Sequence, residues 1–225
     1  RIKNTGTPCL KCSGIKSGSL KEQEIRQYVE SLGIKIQSNI RILDGLEIDI
    51  FLPEMNIGIE FHGLFWHNDT RLDKNYHRNK LDIAKKKGIR LIQIFEDEWE
   101  NKKDIVKSRL LNIFKLNNNK IYGRSCVIKE ISYKQEYAFL EENHIQGYAR
   151  SSIKIGLFFN NKLVSLMTFS RPNLSKGIRG ANEKEWELLR FCSSKHTNVI
   201  GSAGKLFSYF IHKYNPDNII SFSDN

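Results

Sequence analysis

The sequence predicts an α/β (α+β) protein built in two parts, and three observations carry that expectation. Short runs of alternating apolar residues, the mark of strands, are interleaved with segments whose apolar residues recur at helical spacing. The polar stretch Asn117-Asn118-Asn119 interrupts this pattern, which then restarts. At 225 residues and 40% hydrophobic content the chain can hold one large or two small cores. The expected division is a loop or linker over 1–18, a first domain over 19–116 and a second over 117–225.

In the first domain, Ser19 with Glu22 three residues on has the form of a capping box. The helix it opens carries Ile25, Tyr28, Val29 and Leu32 on one face and stops at Gly33. Strands are expected near 35–43, 46–52 and 57–62. Tyr76 to Lys87 reads as a basic helix ending at Gly88, Arg90 to Phe95 as a buried strand, and 103–115 as a further helix. In the second domain a strand at 127–131 precedes a helix at 134–143. A hairpin follows, with strands at 153–159 and 163–169 joined by Asn160-Asn161. A strand at 186–191, a helix carrying Leu206, Phe207, Phe210 and Ile211, and a last strand at 219–222 complete the order.

The chemistry concentrates in residues 47–67, EIDIFLPEMNIGIEFHGLFWH. Strict alternation puts Glu47, Asp49 and Phe51 on one face of the first strand, with Ile48, Ile50 and Leu52 on the other. On the second strand it puts Gly58, Glu60 and His62 together. An antiparallel hairpin turning at Pro53-Glu54-Met55-Asn56 brings Asp49, Glu60 and His62 to a common surface. Two converging carboxylates repel unless a cation lies between them, and oxygen ligation suits Mg²⁺ (or Mn²⁺). The plain alternative is a solvated polar face on an edge hairpin. For Glu22, capping alone accounts for the residue as well as catalysis does.

The net charge of +11 points to a polyanionic partner, nucleic acid or an anionic surface. No run of eighteen apolar residues offers a membrane span, and no signal peptide opens the chain. Arg1 where an initiator Met is usual suggests a fragment or a processed form. Cys9-Leu10-Lys11-Cys12 supplies half of a Zn²⁺ site or a free dithiol. Cys126 and Cys192 lie in apolar runs and read as buried thiols of a reducing cytosol.

The helix acid, the strand Asp and the acid-x-His slot (Glu22, Asp49 and Glu60-Phe61-His62) resemble the restriction-endonuclease-like nucleases, with His62 at their lysine position. The block His62-Gly63-Leu64-Phe65-Trp66-His67 is more similar to the very-short-patch mismatch repair endonucleases. It is most similar to the homing endonucleases related to them, the EDxHD group. The resemblance covers roughly residues 17–115. It implies a site-specific, Mg²⁺-dependent homing endonuclease that nicks or cleaves double-stranded DNA in a bacterial or phage-infected cytoplasm, as monomer or homodimer. Asp49 becomes the principal metal ligand, with Glu60 and the Phe61 backbone carbonyl beside it. His62, His67 and His77 serve acid–base or phosphate roles. The family's last acid falls at His77 here, so Asp82 or Asp97 is left to fill it. From the residues themselves, Trp66 reads as a base wedge or a core aromatic, Lys80 as a phosphate contact, and Lys85 and Lys86 as phosphate contacts or a solvated helix end that offsets the dipole. The CxxC resembles the closing half of zinc-ribbon-like repeats, making 1–18 a zinc-ribbon-like remnant or a linker.

The second half loosely resembles the GNAT acyltransferase topology, with Gly201-Ser202-Ala203-Gly204 opening a helix as a pyrophosphate loop does. A similar carboxy-terminal module accompanies phage homing nucleases, which implies DNA reading with phosphate contacts at Gly201, Lys205, Arg171, Lys176 and Arg179. Two alternatives stand beside the nuclease: a non-catalytic DNA-binding protein with a decayed nuclease core, and an acyltransferase in the C-terminal half.

Overall fold

The computed structural model describes residues 20–63, 76–172 and 184–222. The chain forms two compact units, Arg1–Glu100 and Asn101–Asn225. The boundary lies earlier than the expected 116/117 because the helix after it belongs with the second unit. Ser108 on that helix accepts the His196 amide at 2.7 Å, and Asp104 pairs with Lys195 and His196, each at 2.9 Å.

The first unit runs α1 (Leu20–Ser31), β1 (Gln37–Leu43), β2 (Leu46–Leu52), β3 (Ile57–His62), α2 (Tyr76–Lys86), β4 (Arg90–Phe95) and α3 (Glu96–Asn101). Its sheet has the order β1-β2-β3-β4, antiparallel except for the parallel β3–β4 pair. A parallel pair needs a crossover, and α2 provides it. Ile25 and Val29 of α1 are fully buried, as their spacing requires. Gly33 ends the helix at φ +77°, a conformation that costs glycine little. The missed α3 opens on three acids, which suit a helix N-terminus, and buries Trp99. The Trp99 indole donates to Glu24 of α1 at 3.1 Å.

The second unit runs α4 (Lys103–Ile113), β5 (Lys120–Tyr122), a 3₁₀ turn (Gly123–Ser125), β6 (Val127–Glu130), α5 (Tyr133–Asn143), β7 (Ile153–Phe159) and β8 (Lys162–Ser170). It continues with β9 (Glu185–Ser193), β10 (Asn198–Ile200), α6 (Ser202–Tyr214) and β11 (Asn218–Ser221). Five strands form one sheet in the order β11-β9-β8-β7-β6, and β10 pairs with β5 in a second. Asn160 and Asn161 both take positive φ, 49° and 61°, as a two-residue hairpin turn demands. The core centres on Phe169 stacked on Phe210 at 3.6 Å, with Trp186 edge-on to Phe210 at 5.5 Å. The three-residue strands β5 and β10 were not anticipated, being too short for alternation to declare them.

Candidate active site

The β2–β3 hairpin forms with the expected turn, but its alternation slips at Asp49. Paired residues run Leu52↔Ile57, Phe51↔Gly58 and Ile50↔Ile59. One step further, the Asp49 carboxylate takes the Phe61 backbone N–H at 2.8 Å. Ile48 and Leu91 lie 3.1 and 2.8 Å from where a Cβ on Gly58 would stand, so Ile48 shares the Gly58 face. Ile48 therefore packs in one cluster with Phe51, Ala84 and Ile89, where strict alternation would have set it opposite Phe51. A strand irregularity of this kind re-aims a side chain, here the Asp49 carboxylate.

Glu60 lies 6% exposed on β3, and the Lys80 ammonium of α2 meets its Oε2 at 2.5 Å. Lys80 sits one helical turn before the buried Ala84, on the inner stripe of α2. It is itself only 6% exposed, so it faces the carboxylate rather than solvent DNA. The other oxygen, Glu60 Oε1, is buried with no hydrogen-bond donor. Burial, then the neighbouring Asp49 charge, pushes the Glu60 carboxyl up to about 7, with Lys80 partly opposing. Burial also raises Asp49, against the opposing pull of the Phe61 N–H and the Lys80 charge. The buried Glu60 and the half-buried Asp49 thus raise each other's need for positive charge, which Lys80 and, at Asp49, Arg26 meet in part.

Glu22 is buried on α1 and pairs with Arg26 one turn on, at 2.8 Å. Arg26 also donates to Asn39 at 3.3 Å, and Asn39 donates to Glu47 at 2.8 Å. This chain of contacts ties α1 to β1 and β2, and the Arg26 charge is felt at Asp49. Neither Arg26 nor Asn39 was singled out from sequence. Asn39 takes φ 53°, a region that asparagine tolerates better than most residues, and no sequence pattern announces it.

The His62 ring lies 5.1 Å from that of Phe95, tilted by 32°, its partner across the parallel β3–β4 pair. Asp82 and Asp97 are both exposed, and Asp97 accepts the Glu98 amide at 2.9 Å. Lys85 and Lys86 are exposed at the end of α2, while the adjoining Lys87 pairs with Asp44 at 2.7 Å. Among the described residues no group of three His, Cys, Asp or Glu side chains is gathered as a metal cage. That is compatible with Mg²⁺, which takes one or two carboxylates and leaves the rest of its shell to water and phosphate. Cys9, Cys12, Trp66, His67, Lys176 and Arg179 lie outside the described residues, as does the side chain of His77.

In the second unit, Gly201 takes φ +77° and caps α6, as a tight turn requires. Lys205 is turned inward, donating to the carbonyls of Gly123 and Cys126 at 2.9 and 2.6 Å, and so is already committed. The Arg171 guanidinium stands over the Trp186 ring, 3.9 Å from its centroid. Cys126 and Cys192 are free thiols, and burial pushes Cys192 up to about 12.

No family model matches the chain, and no curated protein does either. Among solved structures, the catalytic domain of the homing endonuclease I-Bth0305I aligns at 20% identity and a TM-score of 0.37. The alignment covers 44% of this chain and 97% of that domain. Likeness at this level carries no weight for activity, so the site's own chemistry has to. No described helix is long and apolar enough to cross a membrane.

Proposed function

We propose that the first unit is a metal-dependent DNA endonuclease of homing type, with Asp49 and Glu60 at its centre. The observation that carries this is the buried Glu60 carboxylate beside the half-buried Asp49, with one lysine on Glu60 Oε2 and no side-chain donor on the buried Oε1. Asp49, the Phe61 backbone carbonyl and Glu60 Oε1 would hold a Mg²⁺ or Mn²⁺ ion. When bound, the ion supplies Lewis acidity toward a phosphodiester and lowers the pKa of water.

The chain's own residues do the rest. The Phe61 N–H fixes the Asp49 carboxylate in place. Lys80 holds the Glu60 carboxylate in place from within α2. Arg26 and Glu22 brace α1 against the hairpin. His62, with His67 and His77 from the resemblance, is assigned the acid–base or phosphate-contact roles. Duplex DNA as substrate accords with the net charge of +11. In the second unit, Arg171, Lys176, Arg179 and the Gly201 turn are proposed phosphate contacts.

Plasmid nicking with Mg²⁺ or Mn²⁺ against EDTA tests this reading. Asp49→Ala is expected to lower turnover at least a thousandfold while DNA affinity stays within about twofold. Metal-independent cleavage, or none with any divalent ion, removes the proposal.

One observation favours a second reading, a DNA-binding protein with a decayed nuclease core. The Lys80 ammonium already occupies Glu60 Oε2, much as a structural ion pair would. Calorimetric titration with Mn²⁺ separates the two, since a decayed site takes up no ion.

A further inference from the structure

Aromatic residues scattered singly over a surface need no explanation, but three exposed rings in mutual contact do. In the second unit, Tyr133 and Tyr137 lie one turn apart on α5 and are 56% and 46% exposed. Tyr148, half-buried in the segment after α5, completes the cluster. Ring centres are 6.1 Å apart for Tyr133 and Tyr137, 5.6 Å for Tyr133 and Tyr148, and 5.3 Å for Tyr137 and Tyr148.

The cluster is fixed from behind. Ser132 opens α5 with a complete capping box: its hydroxyl takes the Gln135 N–H at 3.4 Å, and its own N–H donates to the Gln135 side chain at 3.0 Å. Gly147 turns the chain back at φ +65°. A Cβ there would stand 2.7 Å from Glu141 Oε1, so glycine leaves that carboxylate room to take the Tyr148 N–H at 2.8 Å. Arg190 of β9 donates to the Gly147 carbonyl at 3.2 Å. The rings are therefore ordered before any partner arrives, which lowers the cost of stacking on them.

The charges around the rings are of one kind. Lys134, three residues before Tyr137 on α5, and Arg150, two residues past Tyr148, are both exposed. Among the described residues, no hydrogen bond or ion pair engages either one. The Arg150 charge is felt at the Tyr148 hydroxyl. The acids of this stretch are committed elsewhere. Glu136 is buried and takes the Ser151 hydroxyl, Glu141 is held by Lys102 at 3.5 Å, and Glu142 faces Lys195 at 3.9 Å. Exposed ring faces beside uncommitted cations suit a chain of flat bases linked by phosphates. A proline-rich segment would use the rings and leave the cations idle. A duplex keeps its base faces stacked on one another and out of reach.

We propose that the Tyr133–Tyr137–Tyr148 surface stacks unpaired bases of a DNA strand, with Lys134 and Arg150 on its phosphates. This rests on the reading of the chain as a DNA enzyme and deepens it by giving the second unit a single-stranded target.

Fluorescence anisotropy of the full chain in Ca²⁺ tests the proposal. The probes are a ten-residue thymidine strand, an abasic strand of the same length, a ten-residue proline peptide and a duplex, each labelled. The thymidine strand is expected to bind about tenfold or more tighter than the abasic one. Tyr133→Ala with Tyr137→Ala is expected to weaken the thymidine strand by about tenfold or more, with duplex affinity held within about twofold. Tyr133→Phe with Tyr137→Phe keeps the ring faces and is expected to stay within about twofold of wild type on both, and thermal melts check that each variant is folded. Lys134→Gln with Arg150→Gln is expected to make the salt slope on the thymidine strand shallower by about 1.4. Equal affinity for thymidine and abasic strands overturns the proposal, as does wild-type strand affinity in the alanine variant. A proline peptide that binds more tightly than the thymidine strand assigns the rings to a protein partner and also overturns it. Absence of plasmid nicking with the strand results intact would count against the nuclease reading alone.

Discussion

At the scale of single residues, the Glu60–Lys80 pair decides how the site behaves. A buried pair gains little over an apolar substitute, yet removing one partner leaves an uncompensated charge and costs roughly 3–5 kcal/mol. Lys80→Met is therefore expected to destabilise the first unit by about that much at pH 8, read by denaturant melts. Adding Glu60→Gln to Lys80→Met is expected to recover most of the loss. The pH dependence has a definite sign. Glu60 titrates at about 7 in the folded chain against an ordinary 4.5, so between those values the folded chain holds a proton the unfolded chain has released. Its contribution to stability is then intact below about 4.5 and falls as pH rises to about 7. Lys80→Met keeps that fall and extends it to higher pH, whereas the double variant lacks it. Equal pH profiles for the two variants would mean that Glu60 is not the titrating group. Divalent-ion binding needs the ionised acid, so metal uptake by the wild type is expected to strengthen across the same pH interval.

At the scale of elements, the close approach of β2, β3 and β4 depends on Gly58. A Cβ there would meet the Leu91 side chain at 2.8 Å and Ile48 at 3.1 and 3.3 Å. Gly58→Val is expected to cost about 1–3 kcal/mol through overpacking. It should also disturb the Asp49 carboxylate, because Ile48 precedes it on the slipped stretch of β2. Nicking activity is expected to fall by more than the loss of folded fraction explains, and activity tracking folded fraction alone would detach Gly58 from the site. This slip also marks where sequence reading ran out. The turn at residues 53–56 and the strand boundaries of β2 to β4 follow from alternation and turn chemistry. Alternation has no term for a carboxylate that replaces a ladder partner, so Ile48 fell on the wrong face. Lys80 was legible in principle, since Ala84 one turn on is buried. A lysine in a basic helix is more often solvated, and only the position of Glu60 across the sheet reverses that expectation. The Arg26–Asn39–Glu47 link joins residues far apart in sequence through a positive-φ asparagine, which no periodicity announces.

At the scale of the molecule, the 36 lysines and arginines overstate the cations free to meet DNA. Arg26 and Lys80 are spent on buried acids of the first unit, and Lys205 on two carbonyls of the second. Lys87 is bridged to Asp44, whereas its neighbours Lys85 and Lys86 are exposed. Each lysine that neutralises a DNA phosphate releases about 0.9 counterion, and the log–log slope of affinity against salt counts these contacts. Replacing Lys85 and Lys86 together by Gln is therefore expected to make that slope shallower by about 1.8, with little change in folding stability. The matching change at Lys205 is expected to leave the slope where it was and to lower the melting temperature of the second unit, since it strips a donor from two carbonyls. Fluorescence anisotropy on a labelled duplex between 50 and 300 mM salt reads the slopes, with Ca²⁺ in place of Mg²⁺ to prevent cleavage. A wild-type slope for the Lys85/Lys86 variant would take the end of α2 out of the DNA footprint. The positive surface would then have to be sought on other faces of the chain.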